Sequence, residues 1–202
     1  MKYDHIFDEL EIATDPFALC ELRGTCDLGL GRDASATLHY ILSGEGEISL
    51  RGHAPIKVSR GMLVFMPALQ SHALHSFGSK SDSVPDCKPA ALKLVSLMAG
   101  TEKVDSGQLT SLCAHVWVGL RGVTDIIDVI REPMIENVSS PSQMRPALQA
   151  LLGEISNPQP GSRAMIRALL MQSMIQMLRK RLANDENGLR WMAALARRLR
   201  NI

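Results

Sequence analysis

Short apolar runs at residues 17–22, 36–42, 47–50, 56–59 and 62–66 are each cut off by a turn former: Gly31, Gly44, Gly46, Gly52, Gly61 or Pro67. None is long enough for a helix of ordinary length. Runs of four to seven residues punctuated in this way are strands, which bury apolar surface only by packing sheet against sheet. Many such strands in succession predict a sandwich or a barrel. Two further strands are expected at 91–98 and 112–120, the first preceded by a polar, Pro-containing exposed loop at 78–89.

After Gly122 the period changes. Val123, Ile126, Ile127 and Ile130 recur at helical spacing until Pro133. Met144, Leu148, Leu151, Leu152 and Ile155 then form an amphipathic stripe, in which Pro146 is tolerable only in the first turn. The run 157–161 breaks the chain, and Ser162 is the expected N-cap of a helix reaching about Leu182. Gly188 precedes a last helix around Leu189, Trp191, Met192, Leu195 and Leu199. The expected class is therefore α+β: residues 1–121 a β-barrel and residues 122–202 a helical segment.

The 202 residues suffice for one core. With 46% hydrophobic and 21% charged residues, a disordered tail and a fibrous rod are excluded. The net charge of +1 does not predict general affinity for nucleic acid or membrane. Residues 179–202 do gather Arg179, Lys180, Arg181, Arg190, Arg197, Arg198 and Arg200, as a solvated helix end or a junction to a nucleic-acid-binding part would. No run of eighteen apolar residues and no secretion signal is present, so a cytoplasmic chain is expected. Cys20, Cys26, Cys87 and Cys113 form no Cys-x-x-Cys pair, and in a reducing compartment all four are expected as thiols.

The candidate chemistry lies in two segments. The first runs from Leu38 through His39 into the turn Ser43-Gly44-Glu45-Gly46; the second runs from Gly61 to His72. The second resembles the cupin pattern Gly-x5-Pro-x-Gly-x2-His at Gly61, Pro67 and His72, with Leu69 standing where the second glycine is usual. The resemblance implies a double-stranded β-helix barrel with His72 pointing inward. Metal-binding cupins carry a His pair and a Glu ahead of the first turn. Here those positions fall near Leu30 and Arg32 and at Thr37, so all three ligands are missing.

Period two places Thr37, His39 and Ile41 on one strand face, and only one of His72 and His75 can share it. His39 and His72 could be a vestigial metal site completed by Cys20 or a ligand, polar anchors for a small molecule in an apolar cavity, or satisfied core histidines. Cys20 and Arg23 are further candidates beside the cavity.

A narrower resemblance rests on Asp15-Pro16-Phe17, the segment from His39 to Gly46, Gly61 to His72, and Pro160-Gly161-Ser162-Arg163-Ala164. These resemble the cupin-type sensing domain of AraC-family transcription regulators. The resemblance implies a binding module rather than an enzyme. A small-molecule effector would sit beside Thr37, His39, Ile41 and His72, with no cofactor. A homodimer would form through the C-terminal helices, with the methionines of the 162–182 helix either in the core or at that interface. Such regulators read DNA through a helix-turn-helix region after this point. None is present here, so these residues are not expected to read DNA alone. The alternatives are a metal-dependent cupin dioxygenase or isomerase holding a metal on His39 and His72, and a dimerisation domain whose barrel is filled by its own side chains. No phosphate loop, zinc-protease helix or nucleophile elbow occurs.

Overall fold

A computed structural model describes residues 3–78, 84–91, 94, 108–121, 130–139 and 143–184. Strands β1 (Leu10–Thr14), β2 (Ala18–Arg23), β4 (Ala36–Ser43), β7 (Met62–Met66), β9 (Asp86–Pro89), β10 (Gln108–Leu120) and β11 (Met134–Asn137) form one sheet. The order across it is β11-β7-β4-β10-β2-β9, and β1 also pairs with β10. Strands β3 (Cys26–Leu30), β5 (Glu45–Leu50), β6 (Ile56–Ser59) and β8 (His72–Ser76) form the facing sheet in the order β3-β8-β5-β6. Every pairing is antiparallel. A short helix α1 (Asp4–Asp8) precedes β1, and α2 (Arg145–Ser156) and α3 (Ser162–Asn184) follow β11.

The turns switch the chain between sheets. Gly44, at φ +81°, carries it from β4 to β5 where a Cβ would run into the Gln108 backbone carbonyl. Gly24, at φ +67°, does the same between β2 and β3.

The larger sheet is covered on both faces at its centre, so β4 and β10 are buried almost continuously rather than at alternate residues. One face contributes Ile41, Val64, Met66, Leu109 and Cys113 to the barrel interior, together with Ile48 and Leu74 of the facing sheet. The other contributes Leu38, Leu63, Phe65, Leu112, Ala114 and Val116 to a second core, shared with Leu148, Leu151, Leu170, Met174 and Met177 of the helices. At about 25 cal/mol per Å² of apolar surface, each such core side chain stabilises the fold by roughly 2 kcal/mol.

Several expectations are met. Pro146 lies in the first turn of α2, and the stripe Leu148, Leu151 and Ile155 is buried. Others need correction. Part of the expected loop 78–89 is strand β9, because its backbone pairs with β2. Ala90, Ala91 and Leu94 are helical where a strand over 91–98 was expected; the rest of that strand lies outside the described residues. Gly161, not Ser162, caps α3: its carbonyl accepts the Met165 N–H at 3.1 Å, while the Ser162 hydroxyl turns back to accept the Gln159 N–H at 2.7 Å. β11 belongs to the sheet although it falls in the part expected to be helical. Cys20 and Cys87, facing one another across β2 and β9, form a disulfide rather than two thiols. Cys26 and Cys113 are the free, buried thiols among the described residues. The helices expected over 123–130 and 189–199 lie outside the described residues, Ile130 apart.

Candidate functional site

His39 stands in the middle of β4, between β10 and β7, with Cys113 and Val64 as its register partners. It is 0% exposed. His72 opens β8 on the facing sheet and is buried, whereas His75, three residues on, points outward as strand parity requires. The two inward imidazoles meet across the barrel with Nε2 to Nε2 at 2.8 Å and their rings nearly perpendicular at 80°.

The protons of this pair follow from its ends. The Gln70 carbonyl can only accept, so His72 Nδ1, 3.3 Å away, carries a hydrogen. A neutral His72 then has a bare Nε2, which accepts the N–H of His39 Nε2. That leaves His39 Nδ1 bare, and it accepts the thiol of Cys113 at 3.1 Å. Burial enforces the neutral state throughout. It pushes His39 down to about 3, with His72 and His115 adding repulsion. It lowers His72 as well, against the opposing effect of the Gln70 carbonyl. It raises the Cys113 thiol to about 12, with Ser111 pulling slightly the other way. Every member of the chain Gln70–His72–His39–Cys113 has a partner, as a buried polar group must.

The sequence-predicted residues divide accordingly. Thr37, His39 and Ile41 are buried on one face of β4, and His72 joins them. Cys20 belongs to the same interior cluster, but its sulfur is committed to Cys87, so it cannot complete a metal site. Arg23 is not brought to this group: its side chain is exposed and pairs with Glu21 at 3.2 Å. Two residues were missed. Cys113 and His115 share the interior parity of β10, and Ser35 links His115 Nδ1, at 2.8 Å, to the Asp33 carboxylate, at 2.5 Å. The period-two reading applied to β4 would have found both had it been carried onto β10.

His72 also lines a shallow depression of about 410 Å³ at the barrel end, with Gly29, Gly31, Ser49 and Arg51. It is therefore the member of the pair that solvent approaches, with His39 behind it.

Metal-binding relatives of such a barrel need at least three protein donors. Among the described residues no three His, Cys, Asp or Glu side chains converge on one point. The two facing Nε2 atoms are spent on each other, and Cys113 lies at the opposite edge of the His39 ring. The described residues do not fit a metal.

Residues 4–183 match the family model described as cupin. The chain belongs to the cupin family. Among solved structures this cupin is similar to a predicted oxalate decarboxylase from Thermotoga maritima (18% identity, TM-score 0.31, 53% of this chain and 79% of that one). It is also similar to ToxT from Vibrio cholerae (8%, TM-score 0.46, 84% and 57%). A third likeness is to the DMSP lyase DddQ from Ruegeria pomeroyi (15%, TM-score 0.31, 67% and 55%). The cupin spans little more than half the length of the last two, and at these identities and scores the likenesses carry no argument about activity. No curated protein matches it in sequence. Among the described residues no helix is long and apolar enough to cross a membrane.

Proposed function

We propose that this cupin is the small-molecule-sensing and dimerisation part of an AraC-type transcription regulator. The observation that carries the reading is the His39–His72 pair: two neutral imidazoles hydrogen-bonded to each other inside an apolar barrel, without a third metal donor among the described residues. A neutral imidazole pair offers one donor and one acceptor to a molecule that parts it. The motifs shared with AraC-type sensing domains at residues 39–46, 61–72 and 160–164 support the same reading.

The effector enters from the depression beside His72, takes over a hydrogen bond of the pair, and displaces the ring from His39. His39 and Ile41 alternate along β4 with Leu38 and Tyr40, which face the helices. A shift of β4 on its inner side is thus delivered to α2 and α3 on its outer side. Binding biases those helices between two arrangements only as far as the effector prefers one of them. The half-exposed Met165 and partly buried Met171 of α3 are the adaptable contacts for a second copy. DNA is reached through a helix-turn-helix partner region.

Thermal-shift screening of the purified chain against diverse small acids, phenols and sugars tests this. An effector at a hundred times its Kd adds about 2.7 kcal/mol of stability. The shift is expected in the native chain and lost in His39→Phe. A hit whose shift survives His39→Phe and His72→Phe would place the site elsewhere.

A further inference from the structure

We propose that the outer face of the four-stranded sheet carries a serine-nucleophile acyl-transfer site built from Ser49, His75 and Asp27. This proposal goes beyond the sensor reading and does not rest on it: these side chains lie outside the barrel, whereas His39 lies within.

The three residues come from neighbouring strands in the order β3-β8-β5. Asp27 is the register partner of His75, and Ser49 is the partner of Ala73, two residues before it. The hydroxyl therefore sits one diagonal step from the imidazole, within side-chain reach. His75 Nδ1 lies 2.5 Å from Asp27 Oδ1, and His75 Nε2 lies 2.6 Å from Ser49 Oγ. Aspartate accepts only, so Nδ1 carries the hydrogen. In the form of the ring that carries this hydrogen alone, Nε2 is bare and accepts the Ser49 O–H. That is the order of groups and the tautomer that activate a serine for attack.

The surroundings leave room for an acyl group. Gly29, Ala73 and Ser49 stand side by side across the three strands, a row of small residues next to the row Asp27, His75 and Glu47. A Cβ on Gly29 or Gly31 would meet nothing within 4 Å. The depression that Ser49 lines is the one His72 reaches from the barrel end, and it is bordered by Arg51, whose guanidinium is the cation proposed for charge developing on a carbonyl oxygen. Its open, shallow form suits esters of short acyl chains.

In the step proposed, Ser49 Oγ bonds to the ester carbonyl carbon as its proton passes to His75 Nε2. The bond to the leaving oxygen breaks, and His75 returns the proton to the departing alcohol, leaving acyl-Ser49. Water then attacks the acyl carbon, gives a proton to His75, and releases the acid as His75 reprotonates Ser49. Water is the sole co-reactant. Ser49 and His75 are the catalytic residues, and Asp27 positions the ring.

The test uses the whole chain with 4-nitrophenyl acetate and, separately, a fluorophosphonate probe read by peptide mass spectrometry. The probe is expected on Ser49 in the native chain and absent from His75→Gln. Hydrolysis is expected to fall at least tenfold in Ser49→Ala. Asp27→Asn should lower kcat about tenfold with KM unchanged, which loss of fold would not produce. A native chain that the probe leaves unmodified at Ser49, or a Ser49→Ala variant that hydrolyses the ester at the native rate, overturns the proposal. The labelling result is read on the native chain and so does not depend on any variant folding.

Discussion

Leu69 occupies the left-handed region, at φ +61°, at the position where the cupin pattern has glycine. A leucine pays roughly 1–2 kcal/mol there, because its Cβ crowds the neighbouring backbone. It is held in place by its N–H, which donates to the Asp33 carbonyl at 2.7 Å. With 57% of its surface exposed, the side chain returns little burial energy. Leu69→Gly should therefore raise stability by about 1 kcal/mol, after allowing for the freedom glycine adds to the unfolded chain. Urea unfolding midpoints check this, and a destabilised variant would mean that the Leu69 side chain contributes packing the exposure does not suggest.

His39 yields a second residue-scale prediction. Its folded pKa lies at about 3 against an ordinary 6.5, so the unfolded chain binds a proton that the folded chain refuses. The stability this neutral, buried ring allows is present above pH 6.5 and is lost as pH falls from there towards about 3. The loss is on the order of 1 kcal/mol per pH unit. His72, lowered by the same burial, adds in the same direction. Unfolding curves at pH 7.5 and 4.5 should show a smaller pH dependence in His39→Gln than in the native chain. Equal slopes would show that another group governs acid sensitivity.

At the scale of elements, legibility tracked how far each strand's neighbours were local. β4, β5 and β6 were readable because glycines at 44, 52 and 61 follow them, each at positive φ, and β7 because Pro67 follows it. The inward face of β4 and the split between His72 and His75 followed from period two alone. β1, β3 and β11 were not legible: each is short, only partly apolar, and made a strand by partners distant in sequence. β9 had the composition of a loop, and its pairing with β2 decides its state. The expected strand over 91–98 is apolar enough for either conformation; Ala90, Ala91 and Leu94 are helical, with Ala90 and Leu94 buried in the helix-side core. The disulfide could not be read from spacing, since its cysteines stand 67 residues apart and only the fold makes them neighbours. The Ser49–His75–Asp27 arrangement was hidden for the same reason. Its members lie on three strands whose order across the sheet no local pattern encodes.

At the scale of the whole molecule, the larger sheet separates two cores and belongs to both. Its inner face carries His39, which meets His72 of the facing sheet, and its outer face packs on α2 and α3. The central claim is that this shared sheet passes an event at His39 to the helices. Backbone hydrogen exchange of the native chain, with and without an effector found by thermal shift, tests that claim most directly. Changed protection is expected in β4, β10 and the facing turns of α2 and α3. An effector that binds with changed protection confined to β3, β5, β6 and β8 would contradict it.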